Sequence, residues 1–440
     1  ATTGLRRRPA PAAASSSATS SEDSGFILRR WPMATFRAIE YSQVVNAYRK
    51  VKKGGKAAGI DNESWDKFDK NVEGNLYVIW NRMSSGSYHP QAVREVEIPK
   101  KDGKMRKLGI PTLRDRIAQQ VVKDYMEKRI DVLFHENSYG YRPLKSAHQA
   151  IEQVRQNCYK QDWVIDMDIS KFFDEIDHAL MIRAVEHVMK EKWVKMYVER
   201  WLRMPVQKQD GTRQPRAGKG TPQGGVISPL LANLYLHFTL DVWLSKHYPQ
   251  VSFVRYADDV VVHCTSKAEA ERVLEAIKQR LAEVKLQIKE EKTRIAYCRD
   301  YRRKAEHDVV KFEFLGFSYQ PRARKSQRDG KSFTAFAAEI SQSNQKRIRE
   351  VIREVKLWRN TVVEMACIAK LLNAKLRGWI AYYGKYSRRS LRNTLLMIDR
   401  RLIKWLRKKH KIGCRKSVAK LNAIRQANPE LFYHWKMGYC

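Results

Sequence analysis

Acidic residues are scarce in this sequence: 47 Asp and Glu stand against 85 Lys and Arg, a formal charge of +38 over 440 residues. So large an imbalance repels itself without counter-charge, which points to a polyanion such as a phosphate backbone as partner. A surface charged only for solubility interleaves its signs more evenly. Cysteine is scattered rather than paired. Cys158, Cys264, Cys298, Cys367, Cys414 and Cys440 include no Cys-x-x-Cys, and no histidines stand at zinc spacing, so a disulfide framework and a zinc ribbon are excluded and a reduced, cytoplasmic setting fits. Cys264 and Cys367 lie in apolar runs and are expected to fill core. No apolar run reaches the length a membrane helix needs, so no membrane span is expected.

What is present is a chain with 43% hydrophobic residues, enough for a sizeable core and about two to four domains. Residues 1–32 stand apart, rich in Ala, Ser, Thr, Pro and Arg without hydrophobic periodicity, and are expected to be either a disordered leader or a non-native or read-through extension ahead of a native start at Met33. A helical pattern runs from Ala34 to about Lys52, followed by a Gly- and Lys-rich loop, Lys53 to Asp61. That loop suits either phosphate contact or a flexible connection. Val93 to Ile98 alternates as a strand, Asp102-Gly103 turns, and Met105 to Ile110 returns, giving a hairpin that carries Arg94, Lys100, Lys101, Lys104, Arg106 and Lys107. Ala147, Ile151, Val154 and Cys158 share a helical face. A helical stripe follows at Ile348, Val351, Ile352, Val355 and Trp358, and a second helix from about Val362 to Leu376. The last fifty residues interleave basic clusters with Trp405, Phe432, Tyr433 and Trp435, which suits backbone contact with base stacking.

Two segments concentrate carboxylates. In Phe253 to Val262 two β-rich runs flank Ala257-Asp258, the tight-turn candidate between them, so Asp258 and Asp259 sit at a hairpin tip. Adjacent carboxylates repel unless a cation lies between them, so the pair suits Mg²⁺, although a solvated turn is equally compatible. In Trp163 to Ile169, strand alternation points Asp166 and Asp168 the same way.

Read together, Asp168-Ile169-Ser170-Lys171-Phe172-Phe173-Asp174, Thr221-Pro222-Gln223-Gly224-Gly225 with Ser228-Pro229-Leu230, Tyr256-Ala257-Asp258-Asp259 and Phe314-Leu315-Gly316-Phe317 resemble, in order and spacing, the palm motifs of reverse transcriptases. Arg106 to Thr112, Ser138 to Pro143, and Leu376-Arg377-Gly378-Trp379-Ile380-Ala381-Tyr382-Tyr383 resemble the bacterial group II intron-encoded subfamily, reverse transcriptases that are also maturases. The resemblance covers about residues 36–440. It implies an α/β (α+β) right hand: N-terminal extension and fingers over 33–160, a palm with an antiparallel sheet over 161–325, a helical thumb over 326–388, and a short basic DNA-binding module over 389–440. No HNH endonuclease cluster is present.

The same resemblance implies the site. Asp168, Asp258 and Asp259 would be the catalytic acids and, with the Ile169 carbonyl, would hold two Mg²⁺ ions for in-line phosphoryl transfer. Asp166 and Asp174 would instead make salt bridges or caps. Arg94, Lys100 and Arg106 would bind the triphosphate, with Lys292 either sharing that task or solvating a helix end. Phe173 would lie under the sugar and exclude a ribose 2′-hydroxyl while Phe172 fills core, and Gln223 would approach the nucleotide. Phe314, Leu315 and Gly316 would support the primer, and Arg377 and Trp379 would contact RNA. The implied partners are intron RNA, target DNA and deoxynucleoside triphosphates, in splicing and in retrohoming by target-primed reverse transcription. Two other roles use the same motifs: a domesticated reverse transcriptase in DNA repair or phage defence, and an RNA-binding maturase whose polymerase is dispensable.

Overall fold

The computed structural model describes residues 39–99, 103, 105–326 and 328–440. The leader, Met33 and the hairpin-tip residues Lys100, Lys101, Asp102 and Lys104 lie outside them. Helix α1 (Tyr41–Lys52) buries Val44, Ala47, Tyr48 and Val51 along one face, the spacing of an amphipathic helix. With α2 (Trp65–Asp69) and α3 (Val72–Ser84) it forms the N-terminal layer, and α1 and α3 both pack on the long α4 (Leu113–Ile130). Strands β1 (Val93–Pro99) and β2 (Met105–Ile110) make the expected antiparallel hairpin, with Arg94 opposite Ile110.

Helix α5 (Ala147–Lys160) opens on a reciprocal Ser146–Gln149 capping box and leads into β3 (Trp163–Asp168). Helices α6 (Phe172–Glu175), α7 (His178–Val188) and α8 (Lys192–Leu202) follow, then the short strands β4 (Val206–Gln207) and β5 (Arg213–Gln214), which extend the β1/β2 sheet. Next come α9 (Ser228–Leu236), a π-helical turn at His237–Asp241, α10 (Val242–His247), β6 (Ser252–Tyr256), β7 (Asp259–Cys264), α11 (Lys267–Glu283) and β8 (Arg294–Tyr297). The central sheet runs β6-β7-β3-β8, all antiparallel. Along β3, Trp163, Ile165 and Met167 join Ile277 and Leu281 of α11 in the main core, while Val164 meets Ile151 and Val154 of α5 on the opposite face. The same alternation puts Asp166 and Asp168 on the face of Val164.

A third sheet, β11-β10-β9, contains β9 (Phe312–Phe314), β10 (Phe317–Lys325) and β11 (Ser332–Ile340). Five helices complete the chain: α12 (Gln342–Arg353), α13 (Met365–Tyr383), α14 (Arg388–His410), α15 (Cys414–Ala427) and α16 (Tyr433–Lys436).

Several expectations need correction here. The stripe drawn to Trp358 ends as a helix at Arg353. Trp358 instead folds back and donates its indole N–H to the Ile352 carbonyl at 2.6 Å, satisfying a group that a helix end leaves open. The next helix begins at Met365 rather than Val362, which is 87% exposed. Cys264 is buried as expected, but Cys367 is exposed because Ile368 and Ala369 take the inward positions. The division at 388/389 does not match a break in packing: Leu376, Leu391, Leu395, Trp405, Phe432 and Trp435 share one core. Nor does the division at 325/326, since β10 and β11 pair across it along nine residues.

Candidate active site

Register brings the acids together. Pairing of β3 with β7 sets Asp168 directly opposite Asp259. Tyr256 pairs with Asp259, so Ala257 and Asp258 form the two-residue turn between β6 and β7. Ala257 adopts a left-handed φ of 58°, a conformation that costs a residue with a Cβ about 1–2 kcal/mol. Like charges opposite one another on a sheet are destabilising, and burial followed by the neighbouring Asp168 pushes the Asp258 carboxyl above the ordinary carboxylate range.

Lys292, in the 3-10 turn Glu290–Lys292, places Nζ 2.7 Å from Asp168 Oδ2. That turn is tied to β3 by the Lys289 N–H, which donates to the Asp168 carbonyl at 2.8 Å. The site of Lys292 in this structure is therefore the carboxylate cluster itself. Among the described residues no three His, Cys, Asp or Glu side chains form a ready metal-binding group. The donor set nevertheless fits a hard divalent cation, being oxygen-only and carried on the adjacent strands β3 and β7 and the turn that joins β6 to β7. Asp166 stands apart: it pairs in register with Arg294, 3.9 Å from its Nε, and burial raises its carboxyl to about 7.

The two phenylalanines differ in burial. Phe172 is 2% exposed in the core, whereas Phe173 is half-buried and its carbonyl accepts the Thr221 N–H at 2.7 Å. Gln223 ties the hairpin to α6. Its carbonyl accepts the Gly109 N–H at 2.9 Å, its Oε1 accepts Arg106 Nε at 2.8 Å, and its amide donates to the Asp174 carboxylate at 3.3 Å. Gly224 has φ 125°, and a Cβ there would lie 2.7 Å from the Gly109 carbonyl oxygen, so only glycine permits this approach. Arg94 is half-buried, and its Nε has no hydrogen-bond partner among the described residues. Lys100 lies outside the described residues, and Ile169 is buried beside Asp168.

A cleft of about 1030 Å³ opens from Asp168, Asp259 and Lys292 to Leu315, Gly316 and Tyr382. Leu315 (φ 49°) and Gly316 (φ 80°) form the turn between β9 and β10, the left-handed pair of a type I′ hairpin. The C-terminal helices clamp it. Tyr382 Oη donates to the Leu315 carbonyl at 2.8 Å, and Asn344 Nδ2 donates to the Gly316 carbonyl at 3.1 Å. Gly316→Ala, whose Cβ would meet Asn344 Nδ2 at 2.7 Å, is expected to destabilise the protein by about 1–2 kcal/mol, checked by denaturant unfolding.

Phe314 itself is 2% exposed and packs under the turn, so its side chain supports the loop from within and cannot face a primer. Arg377 is exposed above the Tyr433 ring and Trp379 packs on the helical core; neither lines the cleft. Among the residues not anticipated, Tyr382 and Asn344 hold the Leu315–Gly316 turn. Arg255 is another, a charge at a strand position that follows buried Phe253 and Val254, and that misplaced polarity is a signal the sequence does carry.

Residues 98–319 match the family described as reverse transcriptase (RNA-dependent DNA polymerase), and residues 345–421 match the group II intron maturase-specific domain. The second match also crosses the division at 388/389. Protein YkfC of Escherichia coli (strain K12) is 32% identical over 286 residues, 56% of this chain and 74% of that protein. The group II intron-encoded protein LtrA of Lactococcus lactis subsp. cremoris is 34% identical over 200 residues, 45% of this chain and 32% of LtrA. Among solved structures, telomerase from Candida albicans is 11% identical with a TM-score of 0.45, covering 85% of this chain and 67% of that one. The family brings with it the right-hand polymerase fold. The chain belongs to the reverse transcriptases, in the group II intron-encoded branch that carries a maturase domain.

Proposed function

We propose that this chain copies RNA into DNA with two Mg²⁺ ions held by Asp168, Asp258, Asp259 and the Ile169 carbonyl. One observation carries the reading: Asp168 and Asp259 face each other across β3 and β7, beside the Asp258 turn, at one end of the cleft. Bound there, divalent cations would supply Lewis-acid stabilisation of the attacking and leaving oxygens. In the reaction the primer 3′-oxygen bonds to the α-phosphorus of a deoxynucleotide, and the bond to pyrophosphate breaks.

The protein's own groups position the reactants. Arg106, already oriented by Gln223, lies on the β1/β2 hairpin with Arg94, and these two with Lys100 would hold the triphosphate; charge-assisted contacts of this kind strengthen as negative charge builds on the leaving group. Lys292 balances the Asp168 carboxylate and adds positive charge at the edge of the same cleft. Arg106→Ala is expected to raise the deoxynucleotide KM about tenfold or more, the loss of one hydrogen bond to a charged group. Steady-state primer extension at varied nucleotide concentration measures it.

The wider role we propose is that of an intron maturase. The chain would bind its intron RNA through the basic helices α12 to α15, promote splicing, and copy the intron at a DNA target. No helix among the described residues is long and apolar enough to cross a membrane, and a cytoplasmic, nucleic-acid-associated location suits these partners. The test is paired: primer extension on an RNA template with deoxynucleotides, and splicing of a precursor containing the cognate group II intron. Both are expected to proceed. Absence of extension sinks the polymerase reading, and extension without splicing leaves a domesticated polymerase.

A further inference from the structure

Beneath the Asp258 turn a single buried guanidinium meets four acceptors. Arg255, on β6, is fully buried, as is Asp241. Its Nε and Nη2 donate to Asp241 Oδ1 and Oδ2 at 2.8 and 2.6 Å, the bidentate fork that suits a carboxylate. Its Nη1 donates to Asn233 Oδ1 at 2.9 Å and to the Ala257 carbonyl at 3.1 Å. Asp241 closes the π-helical turn His237–Asp241 between α9 and α10, an irregularity of the kind found at functional sites.

A second layer of contacts reaches the same turn. Asn233 Nδ2 donates to the Gly140 carbonyl at 2.6 Å, and the Tyr139 N–H donates to the Arg255 carbonyl at 2.8 Å. A Cβ on Gly140 would lie 2.4 Å from the Ala257 nitrogen. Ala257 thus meets the Gly140 backbone at its nitrogen and the Arg255 guanidinium at its carbonyl.

Packing alone does not require this. A buried ion pair is seldom more stabilising than apolar residues of the same volume, because both charges must be desolvated. What an apolar side chain cannot do is grip a carbonyl, and the left-handed Ala257 persists only if its surroundings overdetermine it. We propose that Arg255 is a positioning residue: through the Ala257 carbonyl it fixes the turn and so the direction in which Asp258 presents its carboxylate. This rests on the reading of Asp258 as a metal-holding acid. The network plays the part that hydrogen-bonded supports play behind other metal ligands.

Two variants test it. Arg255→Lys keeps the charge beside Asp241 but cannot span all four acceptors. Asn233→Leu keeps the ion pair and the helix while removing the link between Arg255 and Gly140. In each, the Mg²⁺ concentration that half-saturates primer extension is expected to rise about tenfold or more, the usual loss when such a support is removed. Primer–template affinity should change little in Asn233→Leu, while its thermal midpoint falls with the loss of two buried hydrogen bonds; it carries the test if Arg255→Lys fails to fold. Folded variants with an unshifted Mg²⁺ dependence, at whatever rate, overturn the proposal. Asp258→Asn in the same assay separates the two readings. If it still extends primers, the metal assignment itself falls; if it is inactive while Mg²⁺ dependence in the Arg255 and Asn233 variants is unshifted, only the positioning role falls.

Discussion

Asp258→Asn is expected to lower primer extension on an RNA template by about a thousandfold, the scale of losing a main electrostatic contributor to a transition state, while binding of RNA is retained. The substitution is nearly isosteric, so the β6/β7 turn and its Ala257 geometry stay as they are, and what disappears is one negative charge. Stability should move the other way. Burial and the adjacent Asp168 raise the Asp258 carboxyl above its ordinary range in the folded protein, so the folded state binds this proton more tightly than the unfolded state does. By linkage, the wild type loses stability as pH rises from below the ordinary carboxylate range through the raised folded value. The variant lacks that loss. Its thermal midpoint should therefore match the wild type in acid and exceed it at neutral pH, in the absence of divalent cation, as measured by calorimetry. A retained rate of extension would remove Asp258 from the metal site, and an inactive protein that also fails to bind RNA would show that the turn had collapsed.

The parts of this site that were legible in the sequence are those set by short-range rules. Period-two alternation places Asp166 and Asp168 on one face, and the Ala257-Asp258 dipeptide between β-rich runs marks a hairpin, so the turn and the strands were readable from local residues. Leu315-Gly316 is the same kind of signal, and its two left-handed residues form the turn between β9 and β10. What could not be read depends on distant partners. Nothing around Trp358 predicts that its indole reaches back to the Ile352 carbonyl and ends a helix, and nothing in the basic tail shows that Phe432 and Trp435 fill the same core as Leu376. Lys292 reads as either a triphosphate-binding or a solvated position, and its contact with Asp168, 124 residues away in sequence, forms only when the turn before β8 packs against β3. Arg255 is the intermediate case: its polarity is anomalous on a buried strand, but Asp241 and Asn233 become its partners only through the π-helical turn and the packing of α9.

Phe173→Ala should admit ribonucleotides, and its neighbour provides the control. The Phe173 carbonyl is held by the Thr221 N–H and the Gly220 N–H is bound by the Ile176 carbonyl, so the backbone here is fixed independently of the ring. The Phe173 ring is half-buried and packs edge-on against Phe172, with centroids 5.5 Å apart. Phe172, by contrast, is 2% exposed and reaches Tyr235 in the main core. Truncating Phe173 thus opens space at a half-buried position at the edge of the main core without emptying the core beneath it. Forcing a hydroxyl against a packed ring costs about 1–3 kcal/mol, as overpacking does elsewhere, so removing the ring should relax the ratio of kcat/KM for deoxynucleotide over ribonucleotide by about 10- to 100-fold. Phe172→Ala should behave oppositely, losing about 3–5 kcal/mol of stability as a fully buried aromatic with sugar discrimination unchanged in the folded fraction. Single-nucleotide incorporation with matched deoxy and ribo substrates, alongside denaturant unfolding, separates the two. If discrimination in Phe173→Ala stays at the wild-type value, the 2′-hydroxyl is excluded by another group. The Gln223 segment is then the first place to look, because the Thr221 N–H contact to the Phe173 carbonyl brings the two segments together.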